Sequence, residues 1–259
     1  MTITEYRDHP ALNFSLAKNL LKSPAHFKAA QDEDREETDA MRIGTLVHAM
    51  VLEGKNLLDL YAIKPEGMSF ATKEGKAWRD AQTLPVLKEE DANMIPRVAQ
   101  AVADNQDAAK VLRMCQMREA PMFATIMGVE CKCLLDNHGK VGAEWAINDL
   151  KTCQDASPRE FAKDVYSRDY DLQMVWYQTI LASVHGLDAP PFWTWTAVEK
   201  KAPFANAIYT GEEWEESGLR KMEIVLTRYK ACMETGEWPM PYRGFVKLER
   251  LSWMKGVDQ

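Results

Sequence analysis

The segments VECKCLLD (residues 129–136) and INDLKT (residues 147–152) decide the fold of this chain. Apolar and polar residues alternate along the first segment, which is typical of a strand, and the residues 137–139 after it, Asn-His-Gly, predict a turn into a second strand over 144–150. Side chains two residues apart share a face of a strand, so Asp149 and Lys151 project together. An antiparallel hairpin would bring that face beside Asp136, thirteen residues before Asp149.

The segments outside this hairpin predict a mixed α/β (α+β) fold, with a mixed central sheet flanked by helices. Toward the C-terminus we expect helices over 158–167 and 171–184, strands over 192–198 and 206–209, and a long helix from 212 to about 234. Toward the N-terminus we expect a strand over 123–127 and, before residue 115, only helices. Two short helices open the chain, one through 16–21 and one that begins at Ser23-Pro24, and longer ones follow over 41–52, 73–82 and 89–105, the last interrupted at Pro96. The whole chain, 1–259, is then one domain, with a helical elaboration over 1–115 and a core over 116–259.

Composition describes a globular chain and excludes a generally basic nucleic-acid binder. The 259 residues are 46% hydrophobic and 27% charged, with a net charge of −7. Residues 31–39 hold six acids and one base, so they contribute −5 of that charge and leave −2 for the rest. A local basic groove or a metal would therefore still permit contact with nucleic acid. We expect a cytoplasmic protein without a membrane segment, because the five cysteines are odd in number and neither a secretion signal nor a long apolar run is evident.

Two carboxylates and a lysine on neighbouring strands have the composition of a divalent-metal phosphodiesterase site. Asp136 and Asp149 would supply the hard oxygen ligands that Mg²⁺ prefers, and the ammonium group of Lys151 would orient water and offset charge on the phosphate. A surface ion pair explains the same spacing, and the spacing alone does not choose between the two readings.

Two helices offer further candidate residues. Gln173 and Tyr177 are four apart on one helical face and could contact a phosphate or orient the lysine. His48 follows Gly44 by one helical turn, so a partner could approach closely while the imidazole reaches a metal or a phosphate. A lone helical histidine is also common as a core or surface residue.

Short motifs, in order along nearly the whole chain, resemble those of one family. They are LLKSPAHF (20–27), RxGTxxH (42–48), GKAW (75–78), CKxxxD (131–136), DLKT (149–152), QxxxY (173–177), VEK (198–200) and TGEWP (235–239). Together they are similar to the RecE-type exonucleases (exodeoxyribonuclease VIII) of the PD-(D/E)xK nuclease superfamily. The chain departs from the superfamily pattern at Leu135, where proline is usual, and this departure removes no oxygen ligand.

The resemblance implies a metal-dependent 5′-to-3′ double-stranded DNA exonuclease that exposes single strands for recombination. By this likeness, His48, Asp136 and Asp149 are metal ligands for Mg²⁺, with Mn²⁺ as a substitute, and Lys151 is the catalytic lysine. The motif residues Gln173 and Tyr177 would support the site or contact DNA. Arg42 could meet the 5′ phosphate, or it is a solvated arginine at a helix start.

The same resemblance implies partners: double-stranded DNA ends, a RecT-like single-strand annealing recombinase in a phage or prophage, and further copies of the chain in a ring-shaped homo-oligomer. Two alternatives stay open, a catalytically silent DNA-binding or interaction protein on the same fold and an endonuclease with the same site. Glu130 lies roughly 20 Å of strand from Asp136, too far to share one ion. Glu199, at the end of a later strand, is a second-choice site residue.

Overall fold

The computed structural model describes residues 3–33, 38–242 and 244–249. Its helices are α1 (Ile3–Asp8), α2 (Phe14–Ala17), α3 (Asn19–Lys22), α4 (Pro24–Asp32), α5 (Asp39–Val51), α6 (Lys73–Asp80), α7 (Glu89–Asp104), α8 (Gln106–Met114), α9 (Pro158–Ser167), α10 (Tyr170–His185) and α11 (Glu215–Thr235). Its strands are β1 (Leu12–Asn13), β2 (Ala62–Ile63), β3 (Val86–Leu87), β4 (Met117–Ile126), β5 (Val129–Val141), β6 (Glu144–Cys153), β7 (Phe192–Glu199) and β8 (Asn206–Thr210). Single 3₁₀ turns cover Leu57–Asp59 and Glu212–Trp214. Residues 34–37, within the acidic segment, lie outside the described residues.

Six strands form a mixed central sheet in the order β1-β5-β6-β7-β8, with β4 also paired to β5. The β1–β5 and β6–β7 pairs are parallel, and the β4–β5, β5–β6 and β7–β8 pairs are antiparallel. Strands β2 and β3 form a separate two-stranded ladder. Helices flank the central sheet, which confirms the predicted α/β class.

Strand β5 continues through the predicted turn. Asn137 and His138 are fully buried, β5 runs on to Val141, and the turn into β6 comes at Gly142, whose φ is +67°. Gly139 is a glycine for a different reason: a Cβ there would lie 3.0 Å from the backbone nitrogen of Gln116. The turn prediction was wrong because β5 does not reverse direction at these residues. Gly139 instead lets the chain after α8 pass close to the strand.

The N-terminal part also departs from the prediction. It is not wholly helical, because residues 12–13 form a short strand, Leu12 pairing with Cys131, and β2 pairs with β3. Helix α7 passes through Pro96 without a break. A proline inside a helix costs about 3 kcal/mol. Here the buried stripe that includes Ile95 and Val98 keeps the helix continuous.

Two hydrophobic clusters cover the two faces of the sheet. One joins α10, α11 and the N-terminal helices to residues such as Ile147, Trp195 and Ala197. The other joins α5, α7 and α8 to Leu150 and Val198. Because neighbouring residues of a strand point to opposite faces, the sheet lies between the two helical layers. In the described residues no helix is both long and apolar enough to span a membrane, and all five cysteines are buried with free thiols.

A row of polar side chains crosses the α7 and α8 side of the sheet. The amide of Asn148 donates to the hydroxyl oxygens of Thr194 and Thr196, each at 3.0 Å. Asn148 itself pairs with Asn137 across β5 and β6. All four side chains are buried.

A buried lysine fixes the N-terminus to the sheet. Lys132, only 2% exposed, donates from Nζ to the carbonyl oxygens of Tyr6, Arg7 and His9 at 2.6, 3.1 and 2.6 Å. These carbonyls lie at the C-terminal end of α1, where a cation is favoured. The lysine of the CKxxxD motif is therefore a structural residue in this chain.

Candidate active site

The candidate site opens where β5 and β6 separate. The two strands pair over residues 137–141 and 144–148, and beyond that point β6 continues along β7. Asp136 lies at this fork, where its Oδ2 accepts a hydrogen bond from the backbone nitrogen of Leu150 at 3.1 Å. Asp136 also lies close enough to Asp149 for its charge to raise the pKa of that group, so the two carboxylates are neighbours at the fork.

Helix α5 brings His48 to this fork from the second helical layer. The imidazole Nε2 lies 2.7 Å from the carbonyl oxygen of Leu150. A carbonyl can only accept, so Nε2 carries the hydrogen, and Nδ1 faces Asp136 Oδ2 at 3.5 Å. Metal-binding histidines commonly have this arrangement, in which one ring nitrogen donates to a backbone carbonyl and the other is left to bind the metal.

The end of α5 is held in place by Arg118. Its guanidinium donates to the carbonyl oxygen of Leu52, just after α5, and to that of Leu112 in the last turn of α8 at 3.2 Å. One side chain thus joins two helix ends to the start of β4. The next residue of β4 is Glu119, which lies close to His48.

Glu119 completes a group that could hold a metal ion. Ligand atoms of His48, Glu119 and Asp136 all lie within 4.8 Å of one another, and no other such group of three occurs among the residues the structure describes. One imidazole nitrogen and two carboxylates suit a divalent cation. The donor set therefore fits the metal that the resemblance implies, with Glu119 as an additional ligand.

Glu119 has an unusual backbone and an unusual pKa. Its φ is +47°, in the left-handed region that non-glycine residues rarely adopt. Burial, together with the charge of Asp136, raises the pKa of Glu119 to about 7. Sequence reasoning missed Glu119 because the predicted strand began at residue 123. Starting it at Met117 would have placed Glu119 opposite Asp136, between the pairs 118–137 and 120–135.

Asp149 and Lys151 form a buried ion pair next to this group. Lys151 Nζ lies 2.5 Å from Asp149 Oδ2, and Gln173 Nε2 donates to Asp149 Oδ1 at 3.3 Å. Burial raises the pKa of Asp149, and the nearby charge of Asp136 raises it further. Burial alone would lower the pKa of Lys151, but its acidic neighbours, Asp149 first, outweigh burial and raise it. Lysine thus keeps its charge, whereas the aspartate ionises less readily than usual.

The first turn of α10 contributes an aromatic ring to the lysine. Lys151 Nζ lies 4.8 Å from the centre of the Tyr170 ring, in the geometry of a cation–π contact. Sequence reasoning missed Tyr170, although it comes three residues before Gln173. The lysine is therefore held between a carboxylate and an aromatic face.

The other sequence candidates have partners of their own. Tyr177 lies edge-on to Trp193 and packs α10 on the sheet. Burial raises its pKa well above the usual value, and the charges of Asp136 and Asp149 add to the rise, so Tyr177 lies near the candidate site. Arg42 pairs with Asp39, one turn earlier on α5, at 2.5 Å. Glu199 accepts a hydrogen bond from the backbone nitrogen of Ala156 at 3.0 Å and so fixes the loop after β6. Glu130 is exposed at the start of β5.

A solved structure is similar to this chain in its fold. A crystal structure of a Eubacterium rectale protein, provisionally described as an exonuclease, superposes with a TM-score of 0.65 over 100% of this chain and 98% of that one, at 17% identity. A second solved structure, of SSO0001, covers 72% of this chain and 86% of its own at 11% identity, with a TM-score of 0.32 that carries no argument. None of the curated proteins matches the chain.

A family model described as a PDDEXK-like domain of unknown function (DUF3799) matches residues 13–245. This match and the superposition confirm the PD-(D/E)xK superfamily and its nuclease fold. The narrower likeness to RecE-type exonucleases stays a prediction. Since the family model spans most of its length, the chain belongs to the DUF3799 family of PDDEXK-like domains.

Proposed function

We propose that this protein is a divalent-metal-dependent 5′-to-3′ exonuclease that hydrolyses one strand of double-stranded DNA from its end. The observation that carries the proposal is that two groups of side chains lie next to each other where β5 and β6 separate. His48, Glu119 and Asp136 form a cation site, and the buried Asp149–Lys151 pair lies beside it. An isolated surface ion pair would need neither the burial nor the neighbouring metal ligands.

The ligands of the cation would be His48 through Nδ1, Glu119 and Asp136, with Asp149 as the adjacent carboxylate. Mg²⁺ is the proposed ion, with Mn²⁺ as its substitute. When bound there, a divalent cation would polarise a phosphoryl oxygen and offset the negative charge of the transition state. Its positive charge would also favour the ionised forms of Glu119 and Asp149, which burial disfavours in the free protein.

Lys151 would act directly on the reacting groups. Its ammonium group has three donors, of which one points to Asp149, so others remain to orient water and to contact a phosphoryl oxygen. The ring of Tyr170 supports the charge from the other side. Gln173 fixes the orientation of Asp149 by donating to its second oxygen.

The remaining parts of the proposal come from the family resemblance. We propose that the chain forms a ring-shaped homo-oligomer around its substrate, which would explain how a protein of net charge −7 retains DNA. We further propose a RecT-like annealing recombinase as the partner that takes up the exposed single strand. The Eubacterium rectale structure, described as an exonuclease, supports an end-dependent activity.

Digestion of linear duplex DNA, labelled at the 5′ end of one strand, tests the proposal. The wild type should release the label from the 5′ end only with Mg²⁺ or Mn²⁺, and it should leave closed circular DNA intact. Asp149→Ala should be inactive, whereas Asp188→Asn, which changes an exposed aspartate, should keep full activity. Cutting of the circle would favour an endonuclease. DNA binding without digestion under any metal would favour the catalytically silent reading.

A further inference from the structure

The connection between α5 and α7 is a folded unit in its own right, which we call the α5–α7 excursion (residues 56–88). Leu57 and Leu87 anchor its two ends in the hydrophobic cluster shared with α5 and α7. The β2–β3 ladder closes the loop between them, with Lys64 N donating to Leu87 O at 3.2 Å. Helix α6 lies within this loop.

The excursion carries two aromatic rings flanked by cations. Phe70 and Trp78 stack with their centres 6.4 Å apart and their planes 15° apart. Lys64 Nζ and Arg79 Cζ lie 5.8 and 5.9 Å from the centre of the Phe70 ring. We call these four residues the aromatic platform. Both rings are half-buried, so each keeps part of its surface open to solvent.

The backbone holds this platform rigidly. A Cβ on Gly75 would lie 2.1 Å from the carbonyl oxygen of Ser69, so only glycine lets α6 pack this closely on the segment that carries Phe70. Thr72 reinforces the contact, since its hydroxyl oxygen accepts from Gly75 N at 3.0 Å and its hydroxyl donates to Ser69 O at 2.9 Å. Trp78, one turn after Gly75, is thereby set against Phe70. This explains the glycine and the tryptophan of the GKAW motif together.

The platform is not part of the core of the protein. Phe70 and Trp78 belong to neither of the two hydrophobic clusters. Residues 64–88 contain five basic and three acidic side chains, an excess of +2 in a chain of net charge −7. Lys73 and Lys76 are exposed on α6, and within the described part of the chain neither has an ion pair. Arg79 itself pairs with Asp80 at 3.0 Å, so Lys73 and Lys76 are the cations left for a ligand. Rigid rings beside two such lysines suit an anionic ligand with flat apolar groups.

The start of the excursion lies near the candidate active site. Glu53 and Lys55, on the chain leading from α5 into the excursion, are close enough to Glu119 to affect its pKa. The carbonyl of Leu52 just before them is held by Arg118.

We propose that the aromatic platform binds single-stranded DNA, with bases on the Phe70 and Trp78 rings and phosphates near Lys73 and Lys76. Single strands combine stacking surfaces with a phosphate backbone, and proteins bind them with aromatic residues set in positive surfaces. The inference rests on the proposed function, which supplies a single strand.

Binding of a fluorescently labelled 15-nucleotide oligothymidine to the whole protein, followed by anisotropy in EDTA, tests the platform without catalysis. Trp78→Leu and Phe70→Leu should each bind about 5- to 150-fold more weakly, since base stacking contributes about 1–3 kcal/mol per base. Phe192→Leu, at an exposed ring on β7, is the matched control and should bind as the wild type does.

A second variant does not depend on the fold of the excursion. Lys73→Gln combined with Lys76→Gln changes only exposed side chains, and it should lower the slope of log affinity against log salt by about 1.4 if both lysines contact phosphates. Lys163→Gln, at an exposed lysine on α9, should leave the slope unchanged. Circular dichroism would verify that each variant is folded.

The outcomes separate this inference from the proposed function. Wild-type affinity and slope in the aromatic and lysine variants, or no oligothymidine binding by the wild type, would overturn the platform even if the wild type digests duplex ends. If the variants bind oligothymidine more weakly but the wild type digests no DNA, the platform would be supported and the proposed nuclease activity would be rejected.

Discussion

Replacing Gly44 by alanine should make the protein more stable and less active. Gly44 lies inside α5, and a Cβ built on it meets nothing within 4 Å. Alanine in a helix interior is favoured over glycine by about 1 kcal/mol, and here no steric cost opposes that gain. We expect urea denaturation in EDTA to show about 1 kcal/mol of added stability and thermal unfolding to rise by about 2–4 °C.

Gly142→Ala is the matched control for this prediction. A Cβ on Gly142 also meets nothing within 4 Å, but the φ of this residue is +67°. Alanine in the left-handed region costs about 1–2 kcal/mol, so this variant should be less stable than the wild type. A loss of stability in Gly44→Ala, or the same effect in both variants, would refute the reasoning.

The activity of Gly44→Ala tests why a glycine occupies this helix. Gly44 precedes His48 by one turn on the same helical face, so the added methyl group would stand in open space beside a candidate cation ligand. We expect slower digestion of duplex ends by this more stable protein. Unchanged digestion would show that the substrate does not use this space.

Three further variants test single contacts. Lys132→Met leaves three carbonyl groups of the N-terminus without their donor, so its free energy of unfolding, measured in urea, should fall by about 1–3 kcal/mol or more. Lys140→Met replaces an exposed lysine on the same strand and should change this free energy little. Since the pKa of Glu119 is about 7, this group is neutral below pH 7, so calorimetry should show Mn²⁺ binding weaken as the pH falls from 8 to 6. Glu119→Gln should bind Mn²⁺ weakly over this whole pH range, and its Mn²⁺ affinity should depend less on pH. If its affinity changed with pH as that of the wild type does, Glu119 would be excluded as a ligand. Tyr170→Phe should keep near-normal digestion, because the ring face against Lys151 remains, but Tyr170→Leu should be about 2- to 30-fold slower. Equal rates for the two Tyr170 variants would contradict the cation–π role.

The fold was predictable where local patterns and tertiary structure agree. Alternation along 129–135 and the strand-like residues 144–150 predicted two neighbouring strands, and the spacing of Asp149 and Lys151 placed both on one face. The predicted turn at 137–139 failed because burial beside the chain after α8 overrides the local preference of these residues. Short strands such as β1 depend on a partner far along the chain and leave little local signal.

The candidate site was predictable only in part, for a similar reason. His48, Asp136, Asp149 and Lys151 come together at the fork of the sheet, as their motifs suggested. Glu119 depends on where β4 begins and on a left-handed backbone, and neither feature follows from residue type alone. The roles assigned to these residues stay predictions until the variants are measured.

The polar row across β5, β6 and β7 favours one register of these strands over registers that are shifted by one residue. If β6 slipped by one residue along β7, Asn148 would turn toward the tryptophan-lined face and lose the hydroxyl groups of Thr194 and Thr196. An amide buried without partners costs about 1–3 kcal/mol, so the slipped sheet would be disfavoured. The same slip would carry Asp149, the next residue of β6, away from Gln173. A misaligned chain would thus lose its polar network and its candidate site in a single error, so the row that fixes the register of the sheet also fixes the position of the candidate site.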